Sequence, residues 1–337
     1  MPKPFRTVLV GAGKMGRNHL RVLGEDARFR VAAVVDPQVE KLLPGETSFR
    51  KATSLAELDA GDWDCAVVAV PTPAHAGCAR ELLERGRPLL VEKPLASTPA
   101  ECAELVDMAE RLGVPLAVGH LERLNPAVRK LAELLDGGWL GLPVHLSFTR
   151  VGGYPEAIEP GNNVLIDLAV HDLDVLRTLT GGVKVEASVC HSAWRTGVLD
   201  TAVNLLSTAG EPNASIHANW VTPAKIRTLR VTGTRGVCFV DYILQSCSML
   251  GGNMLRRHFA GHYDFNSLLE EYRSTDRLEL GVVKQEPLKI QLGELYRLLT
   301  GEKNALCTAR EGAAAVALAD EALRRAVQTV HEKAVGC

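Results

Sequence analysis

Five short apolar runs mark the first part of the chain: TVLVG at 7–11, FRVAAVV at 29–35, CAVVAV at 65–70, PLLV at 88–91 and PLAV at 115–118. They are nearly unbroken rather than alternating, as strands covered on both faces are. Stretches of helical spacing lie between them. The best marked opens at Thr98-Pro99-Ala100-Glu101, with a capping threonine, proline at the first helical position and glutamate three residues after the cap. Another opens at Asn125-Pro126, with asparagine as the cap. Strands that alternate with helices predict an α/β domain over residues 1–122, built on a doubly wound parallel sheet.

The pattern changes after about residue 140. Segments 143–150, 183–194, 199–208, 213–220 and 226–241 alternate or are β-branched, and most are joined by short turns such as Thr208-Ala209-Gly210-Glu211. This predicts an α+β domain over residues 123–337, built on a large, mostly antiparallel open sheet. One helix, around 164–180, interrupts the strands, and a Gly/Pro-rich loop at 151–163 leads into it. The tail from 309 to 333 is Ala-rich and reads as a helix, expected to pack back on the first domain. Internal repeats and a low-complexity linker are absent from the sequence.

Composition narrows the function classes. The 337 residues are 46% hydrophobic, and 38 Lys+Arg face 40 Asp+Glu for a formal net charge of -2. Without a basic run, neither nucleic acid nor a membrane is an expected partner. MPKPFR leads directly into the first strand, so no signal or spanning segment is expected. The eight cysteines, at 65, 78, 102, 190, 238, 247, 307 and 337, form no CxxC pair. No metal is expected, and a reducing cytoplasm is the expected compartment.

The first strand runs into Gly11-Ala12-Gly13-Lys14-Met15-Gly16 and then a helical stretch. In that setting GxGxxG is a dinucleotide-binding (Rossmann) fingerprint: a tight turn, a close approach of backbone to pyrophosphate, and close packing of helix on strand. The helix N-terminus adds unsatisfied N–H groups. Asp36 ends the second strand, where a carboxylate accepts from the adenosine ribose hydroxyls and repels a 2′-phosphate. Pro37 rather than arginine follows it, so NAD is expected over NADP.

Two further segments carry chemistry. LLVEKPLAS at 89–97 ends a buried strand with Glu92, Lys93 and Pro94. Ligands of open α/β sheets bind beyond the carboxyl ends of the strands, so Lys93 is expected to face the nicotinamide crevice and to donate to a reacting oxygen. DLAVHDLD at 167–174 puts Asp167 and His171 four residues apart on one helical face, with Asp174 on the same side. An imidazole oriented by a carboxylate can serve as general base near neutral pH. Lys93 and His171 can exchange roles, because a coupled pair can share the proton.

Together VLVGAGKMGRNHL, AVPTPAHAGCARELLERGRPLLVEKPLA and DLAVHDLDVL resemble the glucose–fructose oxidoreductase / inositol dehydrogenase (Gfo/Idh/MocA) family, along essentially the whole chain. The resemblance implies a catalytic cluster of Lys93, Asp167 and His171, and a cis bond before Pro94. Asn162-Asn163-Val164 and Ala169 depart from its usual glycines. VGHLERLNPAV at 118–128 and the 225–242 stretch are most similar to the nucleotide-sugar 3-dehydrogenases of the family. The implied reaction is NAD-dependent oxidation of a secondary hydroxyl, at C3, of a nucleotide sugar such as UDP-N-acetylglucosamine. Inositol or free-sugar oxidation and a non-catalytic NAD or sugar sensor are the alternatives. Pro71, Thr72, His75 and Glu92 are expected to line the cofactor. Arg123, Asn125 and Tyr154 are expected at the substrate, beside Lys93, Asp167 and His171. His75 reads equally as a helix cap, Arg123 as an ion-pair partner and Asn125 as a cap; His120, at a strand end, has no assigned role. An open sheet face is usually covered by a second copy, so a homodimer or homotetramer is expected.

Overall fold

The computed structural model describes residues 3–155, 158, 162–194, 197–210, 212–251 and 277–330. In chain order the first strands and helices are β1 (Phe5–Val10), α1 (Lys14–Glu25), β2 (Phe29–Val35), α2 (Val39–Leu42), β3 (Arg50–Ala52), β4 (Cys65–Val68), α3 (His75–Glu84), β5 (Leu89–Val91), α4 (Pro99–Leu112) and β6 (Leu116–Val118). Then come α5 (Pro126–Asp136), β7 (Pro143–Val151), a π-helical turn (Leu165–Ala169), α6 (Val170–Thr180), β8 (Val183–Ser192), β9 (Thr201–Thr208) and β10 (Asn213–Asn219). The remainder is β11 (Ile226–Gly233), β12 (Gly236–Asp241), β13 (Ser246–Gly251), β14 (Arg277–Leu280), α7 (Pro287–Leu299), β15 (Cys307–Thr308), α8 (Ala309–Arg325) and β16 (Ala326–Val330).

Two compact units result. One comprises residues 1–124 and 286–320, the other residues 125–285 and 321–337. The single cut read from the sequence, at 122/123, differs from this division in the segment 286–320. The physical reason lies in α7, whose Leu288, Leu292 and Leu295 form one apolar stripe. They join the core made by Leu9, Val34, Val67 and Leu90 of the strands with Val22 and Leu23 of α1.

The first unit's sheet has the order β15-β6-β5-β4-β1-β2-β3, parallel throughout except for the two-residue edge β15. This is the doubly wound order, with β1 at the switch point. Val10, Val35, Val68, Val91 and Val118 stand in register across it. Gly11, Asp36, Ala69, Glu92 and Gly119, each one residue past that row, therefore share the carboxyl edge. The strand β3 was not foreseen: RKA is short and carries two charges.

The second unit's sheet has the order β14-β13-β12-β11-β7-β10-β9-β8-β16, antiparallel except at β7–β10 and β8–β16. Its buried positions alternate: Leu146 and Phe148, Ala202 and Leu206, Ala214 and Ile216, Leu229 and Val231. On the opposite parity Val203, Leu205 and Phe239 are exposed. The tail read as a helix to 333 turns to strand at Ala326, where AVQTV pairs with β8; positions 331–333 lie outside the described residues. So do 156, 157 and 159–161 of the loop at 151–163. Six described cysteines are buried, and Cys78 is half-buried. Among the described residues no helix is long and apolar enough to cross a membrane.

Candidate active site

In the first unit, Gly11 adopts φ +98°, and a Cβ there would lie 2.5 Å from the Ala69 carbonyl oxygen. A Cβ on Gly16 would collide with the Gly11 carbonyl, so helix and turn meet only through glycine. At Gly13 a Cβ would meet nothing within 4 Å. Gly13 is also the N-cap of α1, and no side chain caps it. The first N–H groups of the helix, on Lys14, Met15 and Gly16, therefore lack intrahelical acceptors. Asp36 accepts from the Ala12 N–H at 2.9 Å and the Gln38 N–H at 2.8 Å, which anchors its charge beside the glycine turn. Each carboxylate oxygen retains capacity for a ribose hydroxyl. An open cradle, a helix N-terminus and an anchored carboxylate suit a dinucleotide.

Lys93 stands two residues past β5, half-buried, and the Lys93–Pro94 bond is cis. Glu92, expected at the cofactor, turns inward instead and is 7% exposed. A buried carboxylate needs partners. His19 of α1 supplies one, its Nε2 donating to Oε1 at 2.7 Å, and the Lys93 backbone N–H donates to Oε2 at 3.3 Å. Burial alone would push the Glu92 carboxyl up; the bond and charge of His19, with Lys93, outweigh it and hold the carboxyl below the usual range. Gly119 completes the cradle, since a Cβ there would stand 3.0 Å from Oε2.

His75, also expected at the cofactor, opens α3 and is buried. Its Nδ1 lies 2.7 Å from the Pro94 carbonyl and its Nε2 2.9 Å from the Val70 carbonyl. It links the ends of β4 and β5 rather than presenting a nitrogen to a ligand. Exposed Pro71 and half-buried Thr72 remain on the same edge. Arg123, expected at a substrate phosphate, donates to Glu311 at 3.0 Å within its own unit. Burial raises the Glu311 carboxyl, but the Thr308 N–H and the Arg123 charge prevail and hold it low. His120 is fully buried.

The second unit carries Asp167 and His171. The helix expected over 164–180 begins as a π-helical turn, and Asp167 lies in that turn while His171 lies in α6. Asn163 accounts for one departure from the family's glycines: its Oδ1 accepts from the N–H groups of Leu165 and Ile166 and so caps the turn. Asp167 accepts from the indole Nε1 of Trp220 at 3.0 Å. Asp172, beside His171, is fully buried against Arg150 of β7 in a bidentate pair of 2.9 and 2.8 Å. Asp174 is likewise buried. Tyr154 packs edgewise on Trp220, with ring centroids 6.2 Å apart. Asn125, expected at the substrate, is instead a buried cap: Oδ1 accepts from the Ala127 N–H, and Nδ2 donates to the Tyr242 carbonyl.

The sequence reading missed His19, Gly119, Arg150 and Trp220. His19 follows the third glycine by three residues, so its position on α1 was readable. Its partner, 73 residues away, was not.

Residues 5–120 match the model of the Gfo/Idh/MocA oxidoreductase family with its NAD-binding Rossmann fold, and residues 128–238 match that family's C-terminal domain. The chain is 34% identical to the rhizopine catabolism protein MocA of Rhizobium meliloti over 52% of its length; the match spans 57% of that relative. It is 34% identical to an inositol 2-dehydrogenase of Streptomyces avermitilis over 62% of this chain and 64% of the relative. It is 27% identical to the UDP-N-acetylglucosamine 3-dehydrogenase of Acidithiobacillus ferrooxidans over 71% of this chain and 74% of the relative. The solved structure of that last enzyme superposes with a TM-score of 0.77 at 22% identity, covering 96% and 98% of the two chains. From both domain matches and the whole-chain likeness of fold, the chain belongs to the Gfo/Idh/MocA oxidoreductase family.

Proposed function

We propose that the protein is an NAD-dependent dehydrogenase that oxidises a secondary hydroxyl, at C3, of a nucleotide sugar such as UDP-N-acetylglucosamine. NAD, when bound, accepts the hydride that leaves the hydroxyl-bearing carbon. Lys93 donates a hydrogen bond to the same oxygen as charge develops on it. His171 takes the hydroxyl proton, and Asp167 orients the imidazole or contacts the sugar. Tyr154 covers the sugar.

One observation carries this reading: Lys93 lies at the carboxyl edge that also holds Gly11 and Asp36, braced from below by Glu92 and His19. A cation on that edge beside a dinucleotide cradle suits hydride chemistry better than passive sensing. The nucleotide-sugar assignment draws on the 27% identical relative. A second reading, oxidation of an inositol, draws on the 34% identical one. A homodimer or homotetramer is proposed as the assembly, because Val203, Leu205 and Phe239 leave an apolar sheet face exposed in the single chain.

Purified protein incubated separately with NAD and NADP, and with UDP-N-acetylglucosamine, inositols and free hexoses, tests the proposal. Absorbance of the reduced cofactor at about 340 nm should rise with NAD and a nucleotide sugar. A rise with inositol alone selects the second reading, and no rise with any sugar sinks the dehydrogenase assignment.

A further inference from the structure

No local signal in the sequence marks Trp220, yet its indole donates to Asp167. It lies one residue past β10. Its backbone N–H donates to the Asp200 carbonyl at 2.9 Å, and the Asn219 side chain accepts from the Thr222 N–H at 3.0 Å, so the chain is tied on both sides of it. The side chain is 1% exposed. Tyr154 covers it edgewise at 73°, and the Tyr154 ring in turn lies 5.9 Å from that of Trp194. Buried and packed in this way, the indole is held in one place.

An indole N–H can only donate and an ionised carboxylate can only accept, so the 3.0 Å bond to Asp167 Oδ2 has one polarity. Asp167 lies in the π-helical turn, four residues before His171 of α6.

We propose that Trp220 is the positioning residue of Asp167: its rigid N–H fixes the carboxylate in the orientation that the reaction uses. The inference rests on the proposed role of Asp167. It implies that Trp220 acts on kcat and leaves cofactor binding alone.

Trp220→Phe keeps an aromatic ring, smaller than the indole, and removes the donor. It should lower kcat about tenfold to a hundredfold, the loss expected for one hydrogen bond to a charged group, with KM for NAD unchanged. Asp167→Asn should lower kcat as well, and the double variant should be no slower than Asp167→Asn alone, since both changes remove one interaction. A second measurement leaves Trp220 in place. In protein labelled with ¹⁵N-tryptophan, the Trp220 indole N–H resonance should move upfield in Asp167→Asn. Full kcat in Trp220→Phe, additive losses, or an unmoved indole resonance would overturn the inference while leaving the role of Asp167 intact. Full turnover in Asp167→Asn overturns both.

Discussion

His19 and Glu92 meet at 2.7 Å in the interior of the first unit, and this pair ties the helix that follows the glycine turn to the strand end that carries Lys93. A charge buried to 7% exposure is tolerated there because His19, the Lys93 N–H and the bare Cα of Gly119 enclose it.

The pair makes stability depend on acid. The Glu92 carboxyl is held below its ordinary value of 4.5, so it contributes stability above that pH and loses it as pH falls through the lower folded-state value. Glu92→Gln should destabilise the protein by about 1–3 kcal/mol at neutral pH. Thermal unfolding followed from neutrality down to strong acid should show a shallower decline for the variant than for the native chain. Parallel curves would contradict this account.

Loss of the proposed reacting groups should separate chemistry from binding. Lys93→Ala and His171→Ala should each lower kcat by roughly 10²- to 10⁴-fold. NAD affinity, read by quenching of intrinsic fluorescence, should stay within about threefold. Near-normal turnover in either variant would remove that residue from the reaction.

Arg150 and Asp172 form a buried bidentate pair next to His171. Arg150→Met leaves Asp172 charged and enclosed, at a cost of about 3–5 kcal/mol. Arg150→Met combined with Asp172→Leu should recover most of the loss, because no charge is then stranded. Denaturant unfolding of the two variants distinguishes a stranded charge from simple loss of packing.

Asp36 anchors the glycine turn through Ala12 and would repel a 2′-phosphate. Asp36→Ala should raise KM for NAD at least about tenfold and narrow the gap between NAD and NADP. An unchanged preference between the two cofactors would show that discrimination lies elsewhere.

Local signals made much of this molecule readable. The unbroken runs at β1, β2 and β4 announced a sheet covered on both faces, and Gly11, Gly13 and Gly16 announced the turn. Thr98 and Asn125 cap the helices that their positions promised. Long-range pairing was not readable. Glu92 and His75 look like ligand contacts in a linear motif, and only the folded chain brings His19, Pro94 and Val70 to them. Arg123 read equally as a phosphate clamp or an ion-pair partner, and only the folded chain supplies Glu311, 188 residues on, as that partner. The π-helical start of the segment that carries Asp167 was equally hidden, because a widened turn leaves the apolar periodicity nearly unchanged.

The return of residues 286–320 to the first unit has a consequence for biogenesis. The leucines of α7 that complete its core leave the ribosome only after strands β7 to β14 of the second sheet have been translated. The nucleotide-binding half must therefore wait, unfinished, for the later part of the polypeptide. A nascent chain arrested near residue 285 should remain protease-sensitive in its earliest segment and acquire resistance once translation has passed α7.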